Sequence, residues 1–439
     1  MNQDLCIVGD VVTDITLPQD ENEIKVRLGG IVHCARSLWA MDIDYDIRYI
    51  SPNYLSKSIN TYCKHHGART IKQIGLVSGA PYSFLIGSAK ETGNQNYDFI
   101  LRDQIELEFS KDELKRLAEI QGELLIISGN FDLDSIVSHV TSTKVHLHLD
   151  LSNNVNNFEE LKNISCQTIF ISTSSELFKT NYDGSFPNFC KKFEKYCKVL
   201  VLKENRGGSR IFDFENKKTY QIPSITQPII HSVGVGDVFD TCFVAKYNDM
   251  GIEKAGYLAS WVASEYAITT YPDNFKTGVA GVLKTKIEDI ISMGGCFLPW
   301  EQRPLYSIYI AAPDFDYLDT SKIELLVESL LYHNFKPRRP IKENGQLDHY
   351  DEKEKRSLTY SKDIALLKEC KLLIAIYIND DPGTMIELGY AKSLGIPCLL
   401  YDPYSNAYNC MLTELPQLVS SDLDVIISEV FNIISKING

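Results

Sequence analysis

At 439 residues the chain is too long for one compact core and predicts two or three domains. Its net charge of -14 is spread along the sequence without a basic tract, which argues against a nucleic-acid polymer as partner and leaves nucleosides, nucleotides and sugars as the expected ligands. Eleven scattered cysteines without a C-x-x-C pair predict reduced thiols in a cytoplasmic protein and no metal site, and no apolar run reaches the ~18 residues that span a bilayer, so neither membrane anchor nor signal segment is expected.

From the N-terminus, apolar runs at Leu5 to Val8, Leu124 to Ile127, Val145 to Leu149, Thr168 to Ile171 and Val199 to Leu202 alternate with helical patterns. That alternation predicts a largely parallel α/β sheet. His65 and His66 precede Gly67 at a predicted helix end, where cationic side chains favour the dipole. His146 and His148 share one face of a strand and lack a third ligand at suitable spacing, so packing is expected there rather than metal binding. Trp261, Tyr266 and Tyr271 fall in an apolar helix and its exit and are expected in the core.

Late in this region stands Ser232-Val233-Gly234-Val235-Gly236-Asp237-Val238-Phe239. Gly234 and Gly236 let the backbone approach an anion, and the helix that follows offers free N–H groups. Asp237 at that end could take the proton of a sugar hydroxyl attacking a phosphoryl group, and a tight turn with an Asp cap explains the same residues.

Together with Ile7-Val8-Gly9-Asp10-Val11-Val12-Thr13-Asp14, the pair Gly29-Gly30 and Asp150 at a strand end, the motif makes residues 1–292 resemble the ribokinase-like (PfkB-type) carbohydrate kinases. The resemblance implies a ribokinase-like α/β fold whose first strand ends in a sugar-binding Asp14. It implies sugar contacts at Gly29 and Gly30, an anion hole at Gly234 and Gly236, a catalytic base at Asp237, and Glu176 near the phosphates. ATP and Mg²⁺ are the implied cofactors of an active domain. The pattern is broken in places: His33 or Cys34 stands where an Asn meets the sugar, Thr173-Ser174-Ser175-Glu176 keeps only the Glu of an Asn-x-x-Glu motif, and Lys203-Glu204-Asn205 replaces a Thr-x-Gly turn. A domain that keeps the scaffold and only binds a nucleotide or sugar is the competing expectation.

Residues 293–304, Met293-Gly294-Gly295 to Pro304, break periodicity and read as a linker. A new apolar strand starts near Tyr306, and residues 305–439 read as a smaller Rossmann-like, flavodoxin-like parallel-sheet domain. The polar stretch Lys336 to Arg356 reads as an inserted solvated loop, in which Arg338 and Arg339 suit a phosphate or simply face water. After the apolar run Leu372 to Ile378 comes Asp380-Asp381-Pro382-Gly383-Thr384-Met385-Ile386-Glu387-Leu388-Gly389-Tyr390-Ala391. It places Asp381 at a strand's carboxyl end and Glu387 six residues on, in the first helical turns, a layout that permits attack on an anomeric carbon. An isolated Asp and Glu so placed would equally be a helix cap and a surface residue.

The extended string, with Tyr306-Ser307-Ile308-Tyr309-Ile310-Ala311-Ala312-Pro313-Asp314-Phe315, is similar to the nucleoside 2-deoxyribosyltransferase family. That likeness implies Glu387 as nucleophile, Asp381 handling the nucleobase proton, Tyr309 orienting the nucleophile and Asp363 binding sugar or assisting. It implies that Asn409, or Asn406 just before it, is lent to a neighbouring subunit's site, hence a homo-oligomer, and that no cofactor is needed. The expected function is N-glycosidic cleavage or transfer on deoxynucleosides or their 5′-monophosphates, joined to a sugar or nucleoside kinase-like domain. A sugar kinase as the main activity, and a non-catalytic nucleotide-sensing assembly, are the alternatives.

Overall fold

The computed structural model describes residues 4–17, 24–94, 97–99, 104–162, 164–348 and 350–438. The chain divides into two compact units, Met1–Lys90 with Gln95–Phe297 and Glu91–Asn94 with Leu298–Gly439.

The larger unit is built on a ten-stranded sheet. Its order runs Lys218–Ile222, Ser209–Asp213, Cys197–Lys203, Cys166–Ser172, Val145–Asp150, Gly122–Ile127, Leu5–Asp10, Tyr45–Pro52, Ala68–Ser78 and Glu106–Phe109. The seven strands from Cys197–Lys203 to Ala68–Ser78 are parallel, and the outer strands at both edges are antiparallel. Each expected apolar run lies inside one of the parallel strands. Such strands are near-continuous hydrophobic runs because helices cover both faces, and every residue of Leu5–Asp10 is buried. On one face the core is closed by the helices Val32–Ala40, Val235–Met250, Ile252–Ala267 and Pro272–Lys284, through residues such as Leu38, Phe243, Val262 and Phe275.

A second, four-stranded sheet orders Lys25–Leu28, Thr13–Thr16, Ser83–Ile86 and Tyr97–Phe99. It corrects one expectation: the first strand stops at Asp10, and Asp14 belongs to the next strand, in the small sheet. The packing reading holds for His148, which is buried against the Glu123 carboxylate at 2.6 Å, but not for His146, whose side chain is 55% exposed and meets the same carboxylate at 2.9 Å from the outside. Trp261 and Tyr266 pack as expected, but Tyr271 is 69% exposed because it caps the helix Pro272–Lys284 from outside.

In the smaller unit, strands β1 (Ser307–Ala311), β2 (Lys336–Arg338), β3 (Leu372–Ile376), β4 (Cys398–Tyr401) and β5 (Leu418–Ser420) form one parallel sheet in the order β2-β1-β3-β4-β5. The helices are α1 (Ser321–Tyr332), α2 (Pro340–Asn344), α3 (Lys353–Glu369), α4 (Pro382–Ser393), α5 (Cys410–Glu414) and α6 (Leu423–Asn438). The stretch expected as a solvated loop holds the edge strand β2, the helix α2 and the start of α3, since Lys336-Pro337-Arg338 pairs with Ser307-Ile308-Tyr309. Its Pro is tolerated because β2 is an edge. The 2-1-3-4-5 order is the flavodoxin-like one, and it reverses between β1 and β3, where the crevice outside the strand ends receives ligands in such sheets.

Candidate active sites

In the smaller unit the crevice between β1 and β3 holds the residues expected to carry chemistry. Tyr309 on β1 is fully buried and its hydroxyl donates to Glu387 Oε1 at 2.7 Å. Asn379 and Asp380 both adopt positive φ, +57° and +47°, which turns the chain sharply from β3 into α4. Such left-handed non-glycine residues cost on the order of 1 kcal/mol each and are frequent where a site must be shaped. The Tyr377 hydroxyl donates to Asp380 Oδ1 at 2.6 Å and braces this turn.

Asp381 is the N-cap of α4, its Oδ2 accepting from the Thr384 backbone N–H at 2.7 Å and the Thr384 hydroxyl at 2.8 Å. The cap reading of Asp381 is therefore correct as far as Oδ2 is concerned. Pro382 at the first helical position suits the same start. A Cβ on Gly383 would lie 3.1 Å from that oxygen, which explains the small residue after the proline. Glu387 follows in the second turn of α4, half-buried.

Burial pushes the Glu387 carboxyl up to about 7, with the Asp363 and Asp381 charges acting in the same sense and the Tyr309 hydrogen bond opposing. A carboxylate poised near neutrality beside a phenol donor is suited to act as nucleophile or base. Asp363, half-buried on α3, is also raised by burial and held down by the Asn344 amide, which donates to its Oδ1 at 2.8 Å. Asn344 was not legible as a site residue, since Asn344-Gly345 reads locally only as a helix end.

Three further residues singled out in the sequence lie outside these contacts, Asn409 being expected to serve a neighbouring subunit rather than its own. Asn409 is exposed and caps α5, accepting from the Met411 N–H at 2.9 Å; among the described residues nothing ties it to Tyr309 or Glu387. The arginines weighed as phosphate ligands are committed to carboxylates. Arg339 forks onto Asp314 Oδ1 and Oδ2 at 2.8 and 2.7 Å and reaches Glu324, while Arg338 clasps Glu343 at 2.6 Å.

The larger unit assembles a second constellation at the start of the helix Val235–Met250, whose N-cap Gly234 has φ +78°. Any side chain on Gly234 would strike the His33 ring, and a Cβ on Gly236 would lie 3.3 Å from Lys203 Nζ. Asp237 sits half-buried in the first turn. Burial pushes it up to about 7, Asp150 and Asp14 adding to the rise and Lys203 opposing it. Lys203 bridges Asp150 Oδ2 at 2.9 Å and Asp240 Oδ2 at 2.6 Å. Against the upward push of burial, that ammonium holds Asp150 down at about 2.

Asp14, expected to face a sugar, is buried and engaged: His33 Nε2 is 3.1 Å from its Oδ2 and Arg27 lies 3.8 Å away. Burial lowers His33 to about 4, so the ring is neutral, with the Tyr266 hydroxyl 2.7 Å from its other nitrogen. Gly29 and Gly30 are packing requirements in this geometry. A Cβ on Gly29 would fall 2.1 Å from Asp14 Oδ1, and Gly30, at φ +60°, approaches the Asp10 carbonyl. Glu176 is exposed in the first turn of the helix Glu176–Asn181, 3.4 Å from the Thr180 hydroxyl. Among the described residues no three His, Cys, Asp or Glu side chains converge to hold a metal ion. Asp150 and Asp240 share the Lys203 charge, and an Mg²⁺ brought in by a nucleotide needs only one or two carboxylates besides the phosphates, which this cluster would supply.

Comparison with known proteins agrees with both architectures. Residues 308–421 match the model of the nucleoside 2-deoxyribosyltransferase family. The smaller unit is thus similar to that family over most of its length, and Tyr309, Asp363, Asp381 and Glu387 all lie within the match. For the larger unit, a phosphofructokinase-2 mutant from Escherichia coli is similar over 65% of this chain and 100% of its own, at 12% identity and a TM-score of 0.50. The ribokinase of Arabidopsis thaliana, solved with ribose and ATP, covers the same share at 17% identity and a TM-score of 0.46. The first of these likenesses defines a ribokinase-like fold. No curated protein matches the chain by sequence. Among the described residues no helix is long and apolar enough to cross a membrane.

Proposed function

We propose that the smaller unit cleaves or transfers the N-glycosidic bond of deoxynucleosides or their 5′-monophosphates. The Tyr309 hydroxyl hydrogen-bonded to a Glu387 poised near neutrality carries this reading, and the family match of the segment supports it. The ionised Glu387 oxygen attacks the anomeric carbon as the carbon–nitrogen bond to the base breaks, and the bonding pair leaves with the base. Asp381, whose Oδ1 is not used by the cap, supplies or relays the proton that the departing nitrogen takes. Water or a second base then attacks the anomeric carbon, loses its proton, and frees Glu387. Tyr309 holds the carboxylate oxygen in line, and Asp363 accepts from the sugar. No cofactor takes part in this scheme.

Base release from the deoxynucleosides and their 5′-monophosphates, followed with and without a second base, tests the reading. Release or exchange by the wild-type protein that is absent in Glu387→Ala supports it. Equal release by the two proteins overturns it.

A second activity for the larger unit rests on Asp237. A carboxyl held near 7 at the start of a glycine-flanked helix is placed to take a proton from a hydroxyl. We infer ATP-dependent phosphorylation of a sugar or nucleoside there. ATP turnover that Asp237→Asn abolishes supports this, and its absence with every sugar and nucleoside leaves that unit a binding domain.

A further inference from the structure

The carboxylate assembly of the smaller unit is not self-supporting, since Asp363 on α3 depends on a residue of a different helix. Asn344 ends α2, and its Nδ2 donates to Asp363 Oδ1 at 2.8 Å. We propose that Asn344 is a positioning residue for the glycosidic chemistry, fixing the Asp363 carboxylate in its ionised form with the other oxygen free for the sugar. The inference rests on the glycosidic reading of this site and deepens it.

Four elements then form one chain of influence: α2 through Asn344, α3 through Asp363, β1 through Tyr309 and α4 through Glu387. The groups acting on Glu387 are the Tyr309 hydroxyl from β1, Asp363 from α3, and Asp381 from the cap of its own helix. Those acting on Asp363 are Asn344 from α2 and Lys362 from α3, both favouring its ionised form against the effect of burial. A hydrogen bond donated to a carboxylate is stronger than one between neutral groups, so its loss is felt at the partner. Among the described residues Asn344 hydrogen-bonds Asp363 and neither Glu387 nor Tyr309, so its effect on the site runs through Asp363.

Removal of the amide has two consequences of fixed sign. Asp363 protonates more readily, so its contact to a sugar hydroxyl weakens and KM rises about tenfold, the equivalent of one charged hydrogen bond. A more readily protonated Asp363 repels a second negative charge less, so Glu387 ionises at slightly lower pH, by less than when Asp363→Asn removes the charge outright. The acid limb of the rate profile therefore moves down while KM goes up, a combination that general loosening of the fold does not produce.

The experiment measures kcat and KM for base release against pH in the full-length wild type, Asn344→Leu, Asp363→Asn and the double variant. Leu keeps the approximate volume and removes the donor. The expected result is a higher KM and a lowered acid limb in Asn344→Leu, a larger shift in the same direction in Asp363→Asn, and little further change when Asn344→Leu is added to Asp363→Asn. Additive effects, or a profile in Asn344→Leu equal to wild type, overturn the proposal while leaving the glycosidic reading intact. Should Asn344→Leu fail to fold, Asn344→Ser, which retains a shorter donor, is to fall between wild type and Asp363→Asn in acid limb; a wild-type limb contradicts the role. Absence of base release in the wild type defeats the glycosidic reading and this inference with it.

Discussion

The two units each place an acidic residue near neutrality at the start of a helix, yet they surround it differently. In the smaller unit Glu387 meets a phenol donor, and the neighbouring carboxylates of Asp363 and Asp381 each keep an oxygen outside the contacts that fix them. In the larger unit the neighbours of Asp237 are tied by charged or ring donors: Lys203 joins Asp150 Oδ2 and Asp240 Oδ2, and His33 meets Asp14 Oδ2. The two sites thus differ in what holds the carboxylates: neutral donors beside Glu387, an ammonium and an imidazole beside Asp237. A carboxylate already bonded to a buried side chain must exchange that bond for one to ligand, which lowers the net gain on binding.

The sharpest way to break this contrast is to remove the two acids. Glu387→Ala is expected to lower base release by on the order of 10⁴-fold or more, since a nucleophile has no substitute, while leaving any ATP turnover untouched. Asp237→Asn is expected to abolish ATP turnover without altering base release, and chelation of divalent ions should leave base release unchanged. A loss of base release in Asp237→Asn would show that the two sites are not chemically independent.

Smaller effects refine the comparison. The Tyr309 hydrogen bond holds Glu387 below the value that burial alone would set, so Tyr309→Phe raises it. The acid limb of base release then moves up by about one pH unit, with roughly fivefold less activity near pH 7. The same burial predicts a stability cost: the folded carboxyl ionises at about 7 rather than 4.5, so its stabilising contribution is present at low pH and lost as pH rises through 7. Glu387→Gln should therefore melt about 2–4 °C above wild type at pH 8 and no higher at pH 4, read by calorimetry.

Much of this was legible in the sequence because it follows from pattern. The apolar runs from Leu5 to Leu202 became parallel strands, and the Asp381-Pro382-Gly383-Thr384 string became a capped helix start, since caps and buried strands are encoded locally. What escaped was set by contacts distant in sequence. Arg339 gave no sign of being bound by Asp314 and Glu324, nor Asn344 of supporting Asp363, because both pairings depend on how β2 and α2 fold back along β1. The partners of Asp14 were hidden for a similar reason: the resemblance marked it for a sugar, and only the fold shows His33 and Arg27 beside its Oδ2.

The most direct test of the account is mass spectrometry of the protein quenched in acid during turnover of a deoxynucleoside. The account predicts one added deoxyribosyl group on the peptide that carries Glu387, absent in Glu387→Ala. Base release without any such adduct, or an adduct on another residue, would contradict the assignment of Glu387 as nucleophile.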